Sequence, residues 1–110
     1  MKIFVDITSE DWLVCQEALS LALALASFEH DIQLKLGEGF LSHVMAEPTG
    51  KLANMLSSLE LYDLQQAWIA HELWQKIQLS KLADEKQLVW LTQVMEMPEP
   101  LPVFEQQITL

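Results

Sequence analysis

The hydrophobic pattern is plainest in two short stretches. Lys2 to Ile7 (KIFVDI) is an apolar run rich in strand formers, and Ile32 to Leu36 (IQLKL) changes side at every residue. Both predict strands. Between them, residues 12–28 send a mixed signal. Leu19, Leu21, Leu23 and Leu25 recur with period two, but Ser20, Ala22 and Ala24 stand between them. Alanine is the best helix former and is depleted in strands. Seventeen residues also suit a helix better than a strand. The segment therefore predicts a helix buried round most of its circumference, with Thr8 or Ser9 as its N-cap and Glu10 and Asp11 in its first turn.

Further along, Gly37-Glu38-Gly39 predicts a sharp turn and residues 40–45 a short helix. The loop Glu47-Pro48-Thr49-Gly50 has turn chemistry. Leu52, Met55, Leu56 and Leu59 then recur at helical spacing. Residues 66–70 (QAWIA) predict a third strand, 72–79 a helix, and 87–94 (QLVWLTQV) a fourth strand. Pro98, Pro100 and Pro102 forbid a helix where they stand, because each lacks an amide donor. Residues 103–110 are left as a last strand at a sheet edge. Strands that alternate with helices imply an α/β fold with a mainly parallel sheet of about five strands.

Composition narrows the function. The 110 residues make one domain the expectation, and 51% hydrophobic against 20% charged residues is a globular profile. Sixteen acidic residues face six lysines and no arginine, for a net charge of −10. That balance argues against nucleic acid, which needs clustered cations, and for a basic partner or plain solubility. The longest greasy stretch, residues 18–28, is too short to cross a bilayer, and Asp6, Glu10 and Asp11 interrupt any secretory leader. The expectation is a soluble cytoplasmic protein that neither enters membranes nor binds nucleic acid directly.

Candidate chemistry is sparse. Cys15 is the one cysteine, so a disulfide within the chain, a CxxC pair and thiolate zinc sites are excluded. Without a basic neighbour it reads as a core residue; the competing reading makes it a sulfur acceptor. Gly37-x-Gly39 lacks a third glycine and a lysine, and Glu38 would repel phosphate. His30, His43 and His71 show no metalloprotease spacing and read as surface or capping residues. No catalytic set, metal site or cofactor site emerges. Trp12, Trp68, Trp74 and Trp90 remain, with Trp68 expected in the core and Trp12 and Trp74 at a subunit contact.

The strand at 32–36 that runs into Gly37-Glu38-Gly39-Phe40, the two helices, the stretch Leu59-Glu60-Leu61-Tyr62-Asp63 and then Gln66-Ala67-Trp68 together resemble the DsrE/DsrF-like family. Within it they are most similar to the TusC/DsrF subunit type. The resemblance covers about the first eighty residues. It implies a flavodoxin-like three-layer sandwich working as an oligomer subunit, beside TusB/TusD-like or DsrE/DsrH-like partners or copies of itself. Such complexes relay persulfide sulfur, for thiolation of the tRNA wobble uridine or for sulfur oxidation. In them the DsrF/TusC type builds the complex and another subunit carries the sulfur. Where TusC-like proteins can carry a cysteine, this chain reads Ala67-Trp68-Ile69-Ala70, so a noncatalytic subunit is expected. The alternatives are a stand-alone acidic homo-oligomer and a sulfur acceptor using Cys15. Leu61, Tyr62, Trp68 and Trp74, in a segment with few charges, are the expected interface residues.

Overall fold

The computed structural model describes residues 1–80, 90 and 92–110, with side chains for 1–77, 90 and 92–110. Its strands are β1 (Lys2–Ile7), β2 (Asp31–Leu36), β3 (Ala67–Ile69), β4 (Val94–Glu96) and β5 (Gln106–Thr109). They form one all-parallel sheet in the order β4-β3-β2-β1-β5. Four helices appear among the described residues: α1 (Trp12–Ser27), α2 (Glu38–Ala46), α3 (Lys51–Ser57) and α4 (His71–Ser80). A 3-10 turn, Leu59–Tyr62, follows α3.

Handedness explains the layers. The connections β1–β2, β2–β3 and β3–β4 all step the same way across the sheet, so right-handed crossovers put their helices on one face. Packing agrees. Ile3, Val5 and Ile7 of β1, and Ile32, Leu34 and Leu36 of β2, share one buried cluster with Cys15, Leu19, Phe40, Val44, Leu56, Ile77 and Trp90.

Phe4 and Trp68 point the other way, as strand alternation requires, and lie outside that cluster although both are buried. Phe104 closes over them, its ring centroid 5.1 Å from Phe4 and 5.9 Å from Trp68. The third layer of the sandwich is therefore the connection 97–105. Geometry leaves little choice. β4 and β5 are separated by four strand spacings, about 19 Å sideways, and the register requires a return of about 13 Å along the strands. As a helix the nine linking residues would span only about 14 Å. Extended they reach about 30 Å, and the prolines suit that form.

Several sequence expectations are corrected here. Asp11, not Thr8 or Ser9, caps α1, its carboxylate accepting from Val14 N at 3.1 Å. Thr8 and Ser9 are still held against the end of β5, where both amides donate to the Leu110 carbonyl. Helix α1 is buried along one stripe only, Cys15, Ala18, Leu19 and Ala22. The strand expected over 87–94 begins at Val94, where pairing with Ala67 sets the register. Trp90 is helical and fully buried, while 87–89 and 91 lie outside the described residues. A short apolar run such as LVWL fits a buried helix or a strand equally well by periodicity.

Candidate functional site

In open parallel sheets, ligands bind outside the carboxyl ends of the strands where the strand order reverses. Here the order reverses at β1, between β2 and β5. The chain itself fills that crevice. Thr8 N and Ser9 N donate to the Leu110 carbonyl at 2.6 and 3.1 Å, and Thr8 Oγ1 donates to it at 2.9 Å. From the other side Gly37 N donates to Ile7 O at 2.9 Å. A Cβ on Gly37 would stand 2.9 Å from that oxygen, and one on Gly39 would stand 2.6 Å from Glu10 Cα. No glycine has positive φ. Close approach of the β1–α1 turn, rather than backbone freedom, is what demands glycine at these two positions.

Cys15 lies one turn into α1 and is fully buried. Its Sγ donates to Ser9 O at 3.3 Å. Burial, then the nearby Asp11 carboxylate, pushes its thiol above the ordinary value. Both effects disfavour the thiolate, the form that attacks sulfur or binds metal.

An open cleft lies instead beyond the carboxyl ends of β3 and β4. It encloses about 610 Å³ and is lined by His71, Glu72, Glu96, Met97, Pro98 and Glu99. His71 opens α4, two residues beyond the end of β3. Its Nδ1 donates to Glu96 Oε1 at 3.0 Å, which leaves Nε2 to accept from the Gln75 amide at 3.1 Å. Both partners are largely open to water, so the pair orients the ring more than it stabilises the fold. The lining holds no thiol, hydroxyl or amine nucleophile, and its three carboxylates oppose an anionic ligand. The sequence did not reveal this pair, because Glu96 lies 25 residues from His71. The i, i+4 spacing of His71 and Gln75 was the one visible signal.

The other histidines are placed as local props. His43 Nε2 donates to Glu10 O at 2.7 Å, which ties α2 to the β1–α1 turn. His30 follows α1 just before β2. Among the described residues, no three His, Cys, Asp or Glu side chains gather into a group able to hold a metal ion.

The four expected interface residues are not brought together. Leu61 and Tyr62 are exposed side by side on the 3-10 turn, with Leu61 84% exposed. Trp68 is buried on the opposite sheet face under Phe104. Trp74 lies on α4, partly buried against the main core. Trp12, expected at a subunit contact, faces solvent on α1, and beside it lies exposed apolar surface that the pattern did not single out: Leu13, Val14 and Leu21 of α1 and Phe28 at its end.

No protein-family model, no curated protein and no solved structure matches the chain significantly. Among the described residues, no helix is long and apolar enough to cross a membrane.

Proposed function

We propose that this chain is a noncatalytic subunit of a cytoplasmic sulfur-relay complex, of the kind the DsrE/DsrF-like family builds, with a role similar to that of the TusC/DsrF type. The burial of its one thiol carries the reading. Persulfide transfer proceeds by thiolate attack and needs access to the sulfur. Cys15 offers neither thiolate character nor access. The strand resembling the cysteine-bearing one of the family ends at Ile69 and leads through Ala70 into a cleft lined without a thiol.

The all-parallel five-stranded α/β fold supports the resemblance. The apolar residues exposed on α1 and the 3-10 turn support a role in assembly. TusB/TusD-like or DsrE/DsrH-like subunits are the proposed partners. A homologous subunit would carry the sulfur, for tRNA wobble-uridine thiolation or for sulfur oxidation, and this chain would not touch RNA.

Purification of the tagged chain from its native cell tests the proposal. The copurifying subunits are identified, and the complex is then loaded with labelled persulfide by a sulfurtransferase donor. Recovery of homologous subunits, with label on a partner cysteine and none on Cys15, is the expected result. Label on Cys15 would overturn the noncatalytic reading. A homo-oligomer without such subunits would support the stand-alone alternative.

A further inference from the structure

We infer that the groove between α1 and the segment formed by α3 and the 3-10 turn docks a basic amphipathic helix of a partner protein. The groove encloses about 500 Å³, and Ser20, Leu23, Ala24, Ser27, Met55 and Tyr62 are among its lining. That volume is in the range of about 300–1,000 Å³ usual for binding pockets.

Its shape follows from α1. Ser20, Ala24 and Ser27 recur at i, i+4 and i+7, so one wall is a row of small side chains that lets another backbone come close. The lining reaches along α1 from Gln16 to Ser27, about 17 Å of helix. An occupying helix satisfies its own backbone hydrogen bonds, which this groove between helices, without a sheet edge, could not do for an extended strand.

Apolar anchorage adjoins the lining along the chain. Phe28 follows Ser27 of the lining and Leu61 precedes Tyr62, and both are exposed, Phe28 at 76%. Glu17 is the one charged residue in the whole of α1. A helix facing solvent would ordinarily carry more.

Charge selects the occupant. Glu17 follows Gln16 of the lining, Glu29 stands two residues beyond Ser27, and Glu60 and Asp63 bracket Leu61-Tyr62; all four are exposed. Lys51 is the one cation in the lining. A trough of small, mixed side chains floored by Leu23, Ala24 and Met55, with exposed carboxylates next to it along the chain, matches a helix whose leucine face is bordered by lysine or arginine. A second copy of this chain would bring the same carboxylates against each other, at a net charge of −10 on each. The inference concerns what the groove holds and stands apart from the sulfur-relay reading, which the copurification experiment tests separately.

The test uses the full chain, labelled with ¹⁵N, and a helical peptide of about 18 residues with leucine at i, i+3, i+4 and i+7 and lysine elsewhere. Saturable binding is expected, with amide shifts confined to α1, α3 and the 3-10 turn. Ser20→Arg and Ala24→Arg, at exposed positions that leave the core untouched, should each weaken it by about tenfold or more. Asp63→Lys should weaken it less, and increasingly so at low salt. Glu99→Lys, in the distant cleft, should leave it unchanged. Shifts spread over every acidic surface would overturn the inference. So would equal binding of a leucine–glutamate peptide, or affinity indifferent to the two arginine variants. A dimeric mass of the peptide-free protein, lost in Ala24→Arg, would assign the groove to a second copy instead.

Discussion

Gly39 lies so close to Glu10 that a Cβ on it would stand 2.6 Å from the Glu10 Cα. The first turn of α2 is thereby pressed onto the turn that leads from β1 into α1, and His43 clamps the same contact one turn later through Glu10 O. Gly39→Ala should gain up to about 1 kcal/mol of helix propensity and lose about 1–3 kcal/mol to overpacking. The atoms in the way, Glu10 Cα and Ser9 O, are backbone and cannot swing aside, so overpacking falls at the upper end of that range. The expected net loss is about 1–2 kcal/mol by chemical denaturation. An unchanged or raised midpoint would show that the contact gives way freely.

Phe104 should be the residue that holds the strap 97–105 to the sheet. Its ring is half-buried and meets both Phe4 and Trp68. Phe104→Ala should cost about 2 kcal/mol, less than the 3–5 kcal/mol of a fully buried ring. It should also move Trp68 emission to the red as water reaches the indole. Trp68→Ala should cost more, because Trp68 is buried. Loss of stability without a spectral change would place the strap's anchor elsewhere.

Cys15 should make stability fall at alkaline pH. Its thiol titrates higher in the folded protein than in the unfolded chain, through burial first and Asp11 second. The unfolded state therefore loses its proton first. The stabilising contribution is complete below the unfolded value of about 8.5 and is lost as pH rises through the folded value, at no more than about 1.4 kcal/mol per pH unit. Denaturation of the wild type and of Cys15→Ala between neutral and alkaline pH should show this slope in the former alone. Native Cys15 should also react with thiol reagents only as fast as the protein opens.

The His71–Glu96 contact should set a tautomer rather than a stability. Free neutral imidazole carries either proton, and the Glu96 carboxylate selects Nδ1–H. Histidine ¹⁵N spectra of the neutral ring should show that tautomer, and Glu96→Ala, which removes the acceptor, should abolish the preference. Both groups are exposed, so the stability change should stay under about 1 kcal/mol.

Isolated protein should fail to bind tRNA at any salt concentration, because six lysines and no arginine face sixteen carboxylates. Filter retention that weakens steeply with salt would reveal a cationic patch.

Much of the architecture was readable from the residues in order. The run of strand formers in KIFVDI marks β1 to the residue. Alanine between the leucines identifies α1 despite their period of two, and the prolines at 98, 100 and 102 deny a helix to the return connection. These are local properties, set by each residue's own backbone preference and by which side its neighbours need to bury.

What only the tertiary structure decided involves partners far apart in sequence. Leu110 takes the amides of Thr8 and Ser9, so the helix cap falls to Asp11. Pairing with Ala67 sets β4 at Val94, and the sheet return lays Phe104 on Trp68, which buries that ring within the chain. The sheet order also leaves α1 with a second, uncovered apolar face. A leucine needs burial whether its cover comes from this chain or another, and sequence pattern alone does not distinguish the two.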